Sequence, residues 1–299
     1  MPGFLTHYLA GQAVLSQLPD EVKALIPSAS ERIYNLGLQG ADIFFYYPMG
    51  FLWARSRGVG SQIHHERFGS FFMHMARWAR QEVVFAYLAG FLVHYAVDVA
   101  AHPFVHGYVK SDENATPLQE SAAHRHLETT LDVLMLARLT GKKPADINQG
   151  ELIEAPNEHK QAAAIVFSEA VNKIYDRPLQ PHDVYHAMGY MARFTRLLNS
   201  PTGKKKRFAE SIEDRVAGAR ILSAMVHMQE VEGTQDHLNL SRFYWAENRN
   251  DSFPTIFEAA VEHATQMVTR LYDYRVGNLT HRELAGLVGN YSLVTGEPC

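Results

Sequence analysis

Apolar residues recur along most of the chain at the three- and four-residue intervals that place side chains on one face of an α-helix. No stretch alternates apolar and polar positions between turn residues, which is the pattern of a half-buried β-strand. We therefore predict an all-α protein with one domain over residues 1–299. The predicted helices cover residues 5–17, 28–37, 67–80, 81–106, 117–140, 158–175, 181–199, 209–229, 253–274 and 281–289.

Two segments need separate treatment. The segment from Val83 to Val105 is mostly apolar and long enough to span a bilayer. It carries ionisable residues and lacks flanking basic anchors, and charge at bilayer depth is costly, so we expect a central core helix and no transmembrane segment. The basic run Lys204–Arg207 follows the Pro201–Gly203 turn and is predicted to be a solvated loop.

Composition indicates metal chemistry. The chain has sixteen histidines, and its one cysteine, Cys299, excludes both internal disulfides and thiolate metal sites, so nitrogen and oxygen must supply the ligands. Nine of the histidines precede residue 130. We therefore expect the site within residues 1–135, with residues 136–299 completing the core and the pocket. The net charge of −4 gives no general attraction to nucleic acid, and no stable nucleic-acid partner is expected.

Three polar residues lie four apart on the predicted central helix. Residues at this spacing share a face and rise about 6 Å per step, so His94, Asp98 and His102 form a seam about 12 Å long. One zinc ion with ligand bonds of about 2 Å does not easily reach both histidines. A carboxylate between them could help to bridge two ions about 3.5–4 Å apart. The seam therefore indicates a metal cluster rather than a single ion.

A purely structural role for this seam would bury the Asp98 carboxylate on an apolar segment without Lys or Arg, which is costly. Pro103 removes an amide donor and is expected to bend or end the helix. His106 would continue the seam only if the helix ran on undistorted. His102 is thus the preferred ligand, with His106 as the alternative.

Other candidates lie on either side of the central helix. His124 and Glu128 are four apart on a predicted helix and can close on one ion from consecutive turns, whereas His126 points to the opposite face. For three earlier candidates the evidence for metal ligation is weaker when each is taken alone, since a structural role would explain each of them. They are His7 in the first helix, Asp42 in a Gly-x-Asp-Ile turn, and His64 (or its neighbour His65) at the opening of the helix over 67–80.

The order of these candidates resembles the zinc-dependent phospholipase C family, whose relatives include the S1/P1-type nucleases. The shared features span residues 1–135, and the last two motifs are the most specific. In chain order they are His7; Gly40, Asp42 and Ile43; Ile63-His64 before Phe71-Phe72; Gly90, His94, Asp98 and Pro103; and His124 with Glu128.

The resemblance implies an all-α fold like that of phospholipase C and P1 nuclease, built around a buried cluster of two or three zinc ions. One zinc would be held by Asp42, His64, His94 and Asp98. A second would be held by His102, His124 and Glu128, and His7 with bridging Asp98 would contribute to a third.

The chain departs from the family pattern at three points. Secreted members use a mature N-terminal tryptophan at the third zinc, whereas this chain begins with Met1. They also have a histidine shortly after the helix proline, where the candidates here are His102 and His106. An aromatic residue that recognises choline is replaced by Ile43, so specificity for phosphatidylcholine is not supported.

The resemblance predicts a metal-dependent hydrolase of phosphodiester bonds, with a phospholipid or another phosphodiester as substrate. Metal-activated water would attack phosphorus, and Asp42 would act as general base or orient that water. A nuclease or small-molecule phosphodiesterase with the same cluster is one alternative. A non-catalytic zinc protein is another. The first residues lack the features of a secretory signal, so a cytoplasmic location is expected.

Overall fold

The computed structural model describes residues 3–26, 30–46, 58–109, 116–216, 221–227, 237–238 and 251–299. These residues form α-helices with short 3-10 turns at Gly40–Phe44 and Pro144–Asp146, and no strand occurs among them, which confirms the all-α prediction. The α-helices are α1 (Phe4–Gln17), α2 (Asp20–Lys23), α3 (Glu31–Gly37), α4 (Val59–His65), α5 (Phe68–Ala76), α6 (Glu82–Val109), α7 (Pro117–Thr140), α8 (Gln149–Leu152), α9 (Asn157–Tyr175), α10 (Pro181–Leu198), α11 (Lys204–Val216), α12 (Ile221–Ala224), α13 (Phe253–Val276) and α14 (His281–Val288).

Helix α6 is the centre of the fold. It packs most extensively against α3 and α13 and also contacts α1, α7 and α9. Among the described helices it is the one long and apolar enough to cross a membrane, but 83% of its apolar window is buried against neighbouring helices. The segment is thus apolar because protein surrounds it, as expected for a core helix.

Glycines set the distance between α3 and α6. A Cβ atom on Gly90 would lie 2.2 Å from the carbonyl oxygen of Tyr34, and one on Gly37 would lie 2.2 Å from that of Tyr87. The two backbones are therefore in direct contact. This close approach brings the turn that follows α3, which carries Asp42, against the middle of α6.

Several sequence predictions need correction. Helix α6 continues past Pro103 to Val109, because a proline costs one helical hydrogen bond and the surrounding core holds the helix in place. Lys204–Arg207 begins α11 instead of forming a loop, and the Ser200 hydroxyl accepts a hydrogen bond from the Lys205 amide at its start. The short helices α2, α4 and α8 were not predicted. Residues 28–29, 217–220 and 228–229 of the predicted helices lie outside the described residues.

The C-terminal segment after α14 connects elements that are distant in sequence. The Leu293 amide donates to the carbonyl of His64 at 2.8 Å, and the Leu293 carbonyl accepts from the His102 ring. The Asn290 side chain accepts from the amide of Gly69 at the start of α5. This segment therefore joins α4, α5 and α6 beside the residues predicted to bind metal.

The contact between α3 and α6 should not tolerate a side chain. We expect Gly90→Ala to destabilise the protein by about 1–3 kcal/mol, because the new methyl group forces the helices apart. Thermal or denaturant unfolding measures this effect. Gly189→Ala is the matched control: Gly189 lies within α10, and a Cβ added there would have no atom within 4 Å, so alanine should stabilise that helix by roughly 0.5–1 kcal/mol. Equal stability of the two variants would contradict the close packing of α3 on α6.

Candidate metal centre

The structure brings all eight predicted ligands together in three groups of metal-binding side chains. Within each group the ligand atoms lie within 4.8 Å of one another, and His94 belongs to two groups. The groups are His7, His94 and Asp98; Asp42, His64 and His94; and His102, His124 and Glu128.

Five structural elements supply these residues. His7 lies in the first turn of α1, Asp42 in the 3-10 turn Gly40–Phe44, and His64 in α4. The seam on α6 and the pair on α7 supply the rest. The sequence predicted that His64 opens the helix that is now α5. It lies instead near the end of its own short helix, α4, because Glu66 adopts an extended conformation that ends α4.

The Asp98 carboxylate is the meeting point of the deepest residues. Its Oδ1 lies 3.2 Å from Nε2 of His7, and its Oδ2 lies 3.2 Å from Nε2 of His94 and 3.4 Å from Nε2 of His64. His7, His94 and Asp98 are fully buried, and the rings of His7 and His94 stack with centroids 4.4 Å apart. Asp98 is thus within reach of histidines from three separate helices.

Asp42 approaches the same histidines from the side of α3. Its Oδ1 is 3.1 Å from Nε2 of His64 and 3.9 Å from Nε2 of His94. Gly40 makes room for this arrangement, since a Cβ at that position would lie 2.2 Å from Cδ2 of the His94 ring. Its φ of +48° also favours glycine.

The third group lies nearer the surface. Nε2 of His124 is 2.6 Å from Oε1 of Glu128, and the rings of His102 and His124 have centroids 5.8 Å apart. His106 lies beside this group, with its ring centroid 5.0 Å from that of His124, but it joins none of the three groups of ligand atoms. His126 is exposed.

Backbone carbonyls orient three of the histidine rings. Nδ1 of His64 lies 2.7 Å from the carbonyl of Gly60, and Nδ1 of His94 lies 3.2 Å from that of Leu38. The third contact joins Nδ1 of His102 to the carbonyl of Leu293. Each carbonyl accepts from an Nδ1–H, so Nε2 is the nitrogen of each ring that is available to a metal ion.

The donor set fits a divalent metal ion. Nε2 of His64 and His94, both nitrogens of His7, Oδ1 of Asp42 and both oxygens of Asp98 are buried without a hydrogen-bond partner among the described residues. No Lys or Arg of the described residues lies within ion-pair distance of either carboxylate. Buried carboxylates that face imidazole nitrogens need a cation, and zinc prefers this mixture of ligands.

The electrostatics of His64 reflect the same shortage of positive charge. Burial lowers the pKa of its imidazole, but its contacts with Asp42 and Asp98 outweigh this effect and raise the pKa to about 10. Without metal, His64 therefore carries a proton at neutral pH. That proton supplies part of the positive charge that the two carboxylates require.

The remaining shifts favour metal ligation without further proton loss. Burial raises the pKa of Asp98, but the interactions with the surrounding histidines, of which His94 is the largest, together hold that pKa well below its usual range. Burial likewise raises the pKa of Glu128, but opposing interactions, of which that with His124 is the largest, bring it down to about 2. Burial lowers the pKa of His102 well below its usual range, so this ring is neutral.

Asp132 was not identified from the sequence, yet it fixes the first helix. Its buried carboxylate accepts hydrogen bonds from the amides of Leu5 and Thr6 at 3.0 and 2.7 Å and lies 2.7 Å from Nε2 of His227. A carboxylate at a helix N-terminus satisfies free amides and complements the helix dipole. Asp132 therefore positions α1, and with it His7. Its spacing of four residues from Glu128 was the available signal.

A cleft of about 450 Å³ opens onto the third group. Phe45 and Arg125 line it together with His64, His102, His124 and Glu128. Arg125 was also not predicted from the sequence, because an arginine on a helix is usually a solvated residue. The metal groups thus extend from a fully buried end at His7 to an accessible end at His124.

Fold and site together define an all-α protein with a buried histidine–carboxylate metal centre. A family model described as zinc dependent phospholipase C matches residues 6–176, which is more than half of the chain. The chain belongs to the zinc-dependent phospholipase C family. The match extends beyond the motifs used above and includes α8 and α9. No curated protein and no solved structure matches the chain.

Asp98 should govern zinc retention at the buried end of the centre. We expect Asp98→Asn to reduce bound zinc by about one ion per chain or more, since the amide removes the charge that three histidines face. Metal analysis after dialysis measures this loss. Asp183→Asn removes another buried carboxylate, which accepts from the Gln180 amide at the start of α10, and should leave zinc content unchanged. Equal zinc content in both variants would show that Asp98 is not a ligand.

Zinc binding should release a proton from His64. The pKa of about 10 means that zinc displaces this proton at pH 8, so affinity rises with pH until His64 is neutral. Calorimetric titration in two buffers of different ionisation enthalpy counts the protons. We expect zinc binding to release about one proton fewer from His64→Asn than from the wild type. His65→Asn, at the exposed neighbouring position, should leave the number of released protons unchanged. Proton release that does not depend on His64 would rule out this assignment.

Proposed function

We propose that this protein hydrolyses the phosphodiester bond of a phospholipid on the glycerol side, in the manner of a phospholipase C. The observation that carries the proposal is the arrangement of three metal-binding groups along α6, the last of which opens into a cleft. Membership of the zinc-dependent phospholipase C family supports the same class of reaction.

The eight clustered residues would hold two or three zinc ions. Asp42, His64, His94 and Asp98 would form one site, His102, His124 and Glu128 a second, and His7 with Asp98 part of a third. When bound, zinc supplies Lewis acidity, charge neutralisation at the phosphoryl oxygens and a water whose pKa is lowered toward 7. The backbone carbonyls at Gly60, Leu38 and Leu293 hold the imidazoles in the orientation that this role requires.

Asp42 is the proposed general base. Its Oδ1 is buried, lacks a hydrogen-bond partner among the described residues and faces the His64 ring at 3.1 Å. The carboxylate would accept a proton from water as the water oxygen attacks phosphorus. The bond from phosphorus to the glycerol oxygen would then break, and that oxygen would take up a proton. The products are diacylglycerol and a phosphorylated head group.

The surroundings of the cleft favour a lipid over a nucleotide. A larger groove of about 1110 Å³ adjoins the cleft, and His106 and Val294 line both. Ala96, Val99 and Pro103 of α6 contribute to an apolar wall of this groove, while Glu297 and His263 are among its polar residues. Such a groove offers room for acyl chains beside the metal centre, and we propose that it serves this purpose.

Parallel assays would test the proposed reaction. Zinc-loaded protein would be incubated with mixed micelles of phospholipid, with single-stranded DNA and with a chromogenic phosphodiester. We expect release of diacylglycerol from the phospholipid, loss of this activity on chelation and its recovery when zinc is added back. Cleavage of DNA alone would indicate a nuclease instead. Retention of zinc without hydrolysis of any substrate would indicate a non-catalytic zinc protein.

Asp42→Asn belongs in the same assays. Removal of a general base typically costs about 10²- to 10⁴-fold in rate, and we expect kcat to fall within this range. Zinc analysis accompanies the assay, because Asp42 is also a candidate ligand. Asp146→Asn serves as the control and should retain full activity, because Asp146 is exposed and belongs to none of the three metal-binding groups. Wild-type rates in Asp42→Asn would refute the proposed role of Asp42.

A further inference from the structure

Arg125 occupies a distinctive position beside the metal centre. It follows His124 directly on α7 and lines the 450 Å³ cleft, where it is the one Lys or Arg among the described lining residues. It also borders a second, smaller cavity, which is lined by Asp42 and Glu128 among others. Arg125 thus adjoins both the Asp42 group and the Glu128 group of proposed ligands.

The side chain of Arg125 has no partner within the described part of the protein. Its Nε is buried without a hydrogen bond, the residue is half-buried, and none of the described carboxylates forms an ion pair with it. Glu128, three residues further along α7, faces His124 instead. By contrast, the buried Lys160 is paired with Glu154 at 3.0 Å. The same fold therefore neutralises a buried cation elsewhere but leaves Arg125 uncompensated.

An unpaired guanidinium that loses water contacts is costly unless an anion replaces them. Arginine offers a planar fork of N–H donors that matches two oxygens of a phosphate group. The group of His102, His124 and Glu128 lines the same cleft, so an anion held there would lie between the Arg125 guanidinium and that group. The net charge of −4 makes such local attraction necessary for an anionic substrate.

We propose that Arg125 forms an anion subsite beside the metal centre and binds non-bridging phosphoryl oxygens of a phosphate ester. The inference deepens the proposed function and rests on it for the identity of the substrate. Arg125 would bind and orient the phosphoryl group, whereas the proton transfer is assigned to Asp42. The expected ligand class comprises phosphodiesters and their phosphorylated products, including inorganic phosphate as the simplest probe.

Two substitutions separate charge from geometry. Arg125→Met keeps much of the side-chain length and removes the charge, and Arg125→Lys keeps the charge without the planar fork. Arg138→Met is the matched control, because Arg138 is an exposed arginine in the last turn of the same helix. Zinc content and unfolding midpoint are measured for every variant, so that damage to the fold or to metal binding is detected.

Calorimetric titration of the zinc-loaded proteins with inorganic phosphate provides a readout that is independent of catalysis. We expect Arg125→Met to weaken phosphate binding roughly 10- to 100-fold, the range expected for hydrogen bonds to a charged group. The phosphate affinity of Arg125→Lys should lie between those of Arg125→Met and the wild type, and the affinity of Arg138→Met should equal that of the wild type. If the phosphodiester is hydrolysed, kcat/KM should fall in the same order at unchanged zinc content.

Two results would overturn the anion subsite. One is phosphate binding by Arg125→Met that equals the wild type at equal zinc content. The other is loss of zinc or of stability in both Arg125 variants, which would assign a structural role to this residue. Failure of the proposed function gives a different result: no phosphodiester is hydrolysed by the wild type, while phosphate binding still depends on Arg125.

Discussion

The structure depends on the burial of the Asp98 carboxylate in the middle of the longest apolar helix. This carboxylate is fully buried with no Lys or Arg within ion-pair distance among the described residues, and histidines from α1, α4 and α6 face it at 3.2–3.4 Å. An isolated charge at this depth would cost several kcal/mol of folding free energy. The core is therefore organised around a position where positive charge must be supplied. In the absence of metal, the proton on His64 supplies part of it.

Backbone carbonyls fix the orientation of three histidine rings around this site. Leu38 precedes the turn of Asp42, Gly60 lies one turn before His64, and Leu293 belongs to the C-terminal segment; each provides a carbonyl to a histidine Nδ1. The contact of Gly60 with His64 lies within α4, but Leu38 and Leu293 are 56 and 191 residues from the histidines they contact. The orientations of the His94 and His102 rings are therefore correct only once the helices have packed. Folding and the formation of the metal centre are thus coupled, as is common where ligands converge from distant positions.

Most of what could be predicted about the fold and the site came from local sequence patterns. The helical class and the seam of His94, Asp98 and His102 follow from spacing alone, since residues four apart must share a face. The convergence of His7, Asp42 and His64 on that seam could be expected only through the resemblance to a known family. The role of Asp132 could not be predicted from residue spacing, because its hydrogen-bond partners are amides in α1 that lie 126 and 127 residues away in sequence. No local signal encodes the carbonyl of Leu293 either, because any residue provides one.

Burial also separates the roles of the three metal-binding groups. His7, His94 and Asp98 are sealed within the core, whereas the His124 side chain retains 19% of its exposure and lines the cleft. A substrate that enters through this cleft meets the side of His124 and Glu128 first, and Arg125 stands beside both. The buried end holds carboxylates that need a cation, whereas the accessible end is open to molecules that enter the cleft. One helix, α6, connects the two ends, so the spacing along its seam sets the distance from the buried group to the accessible group.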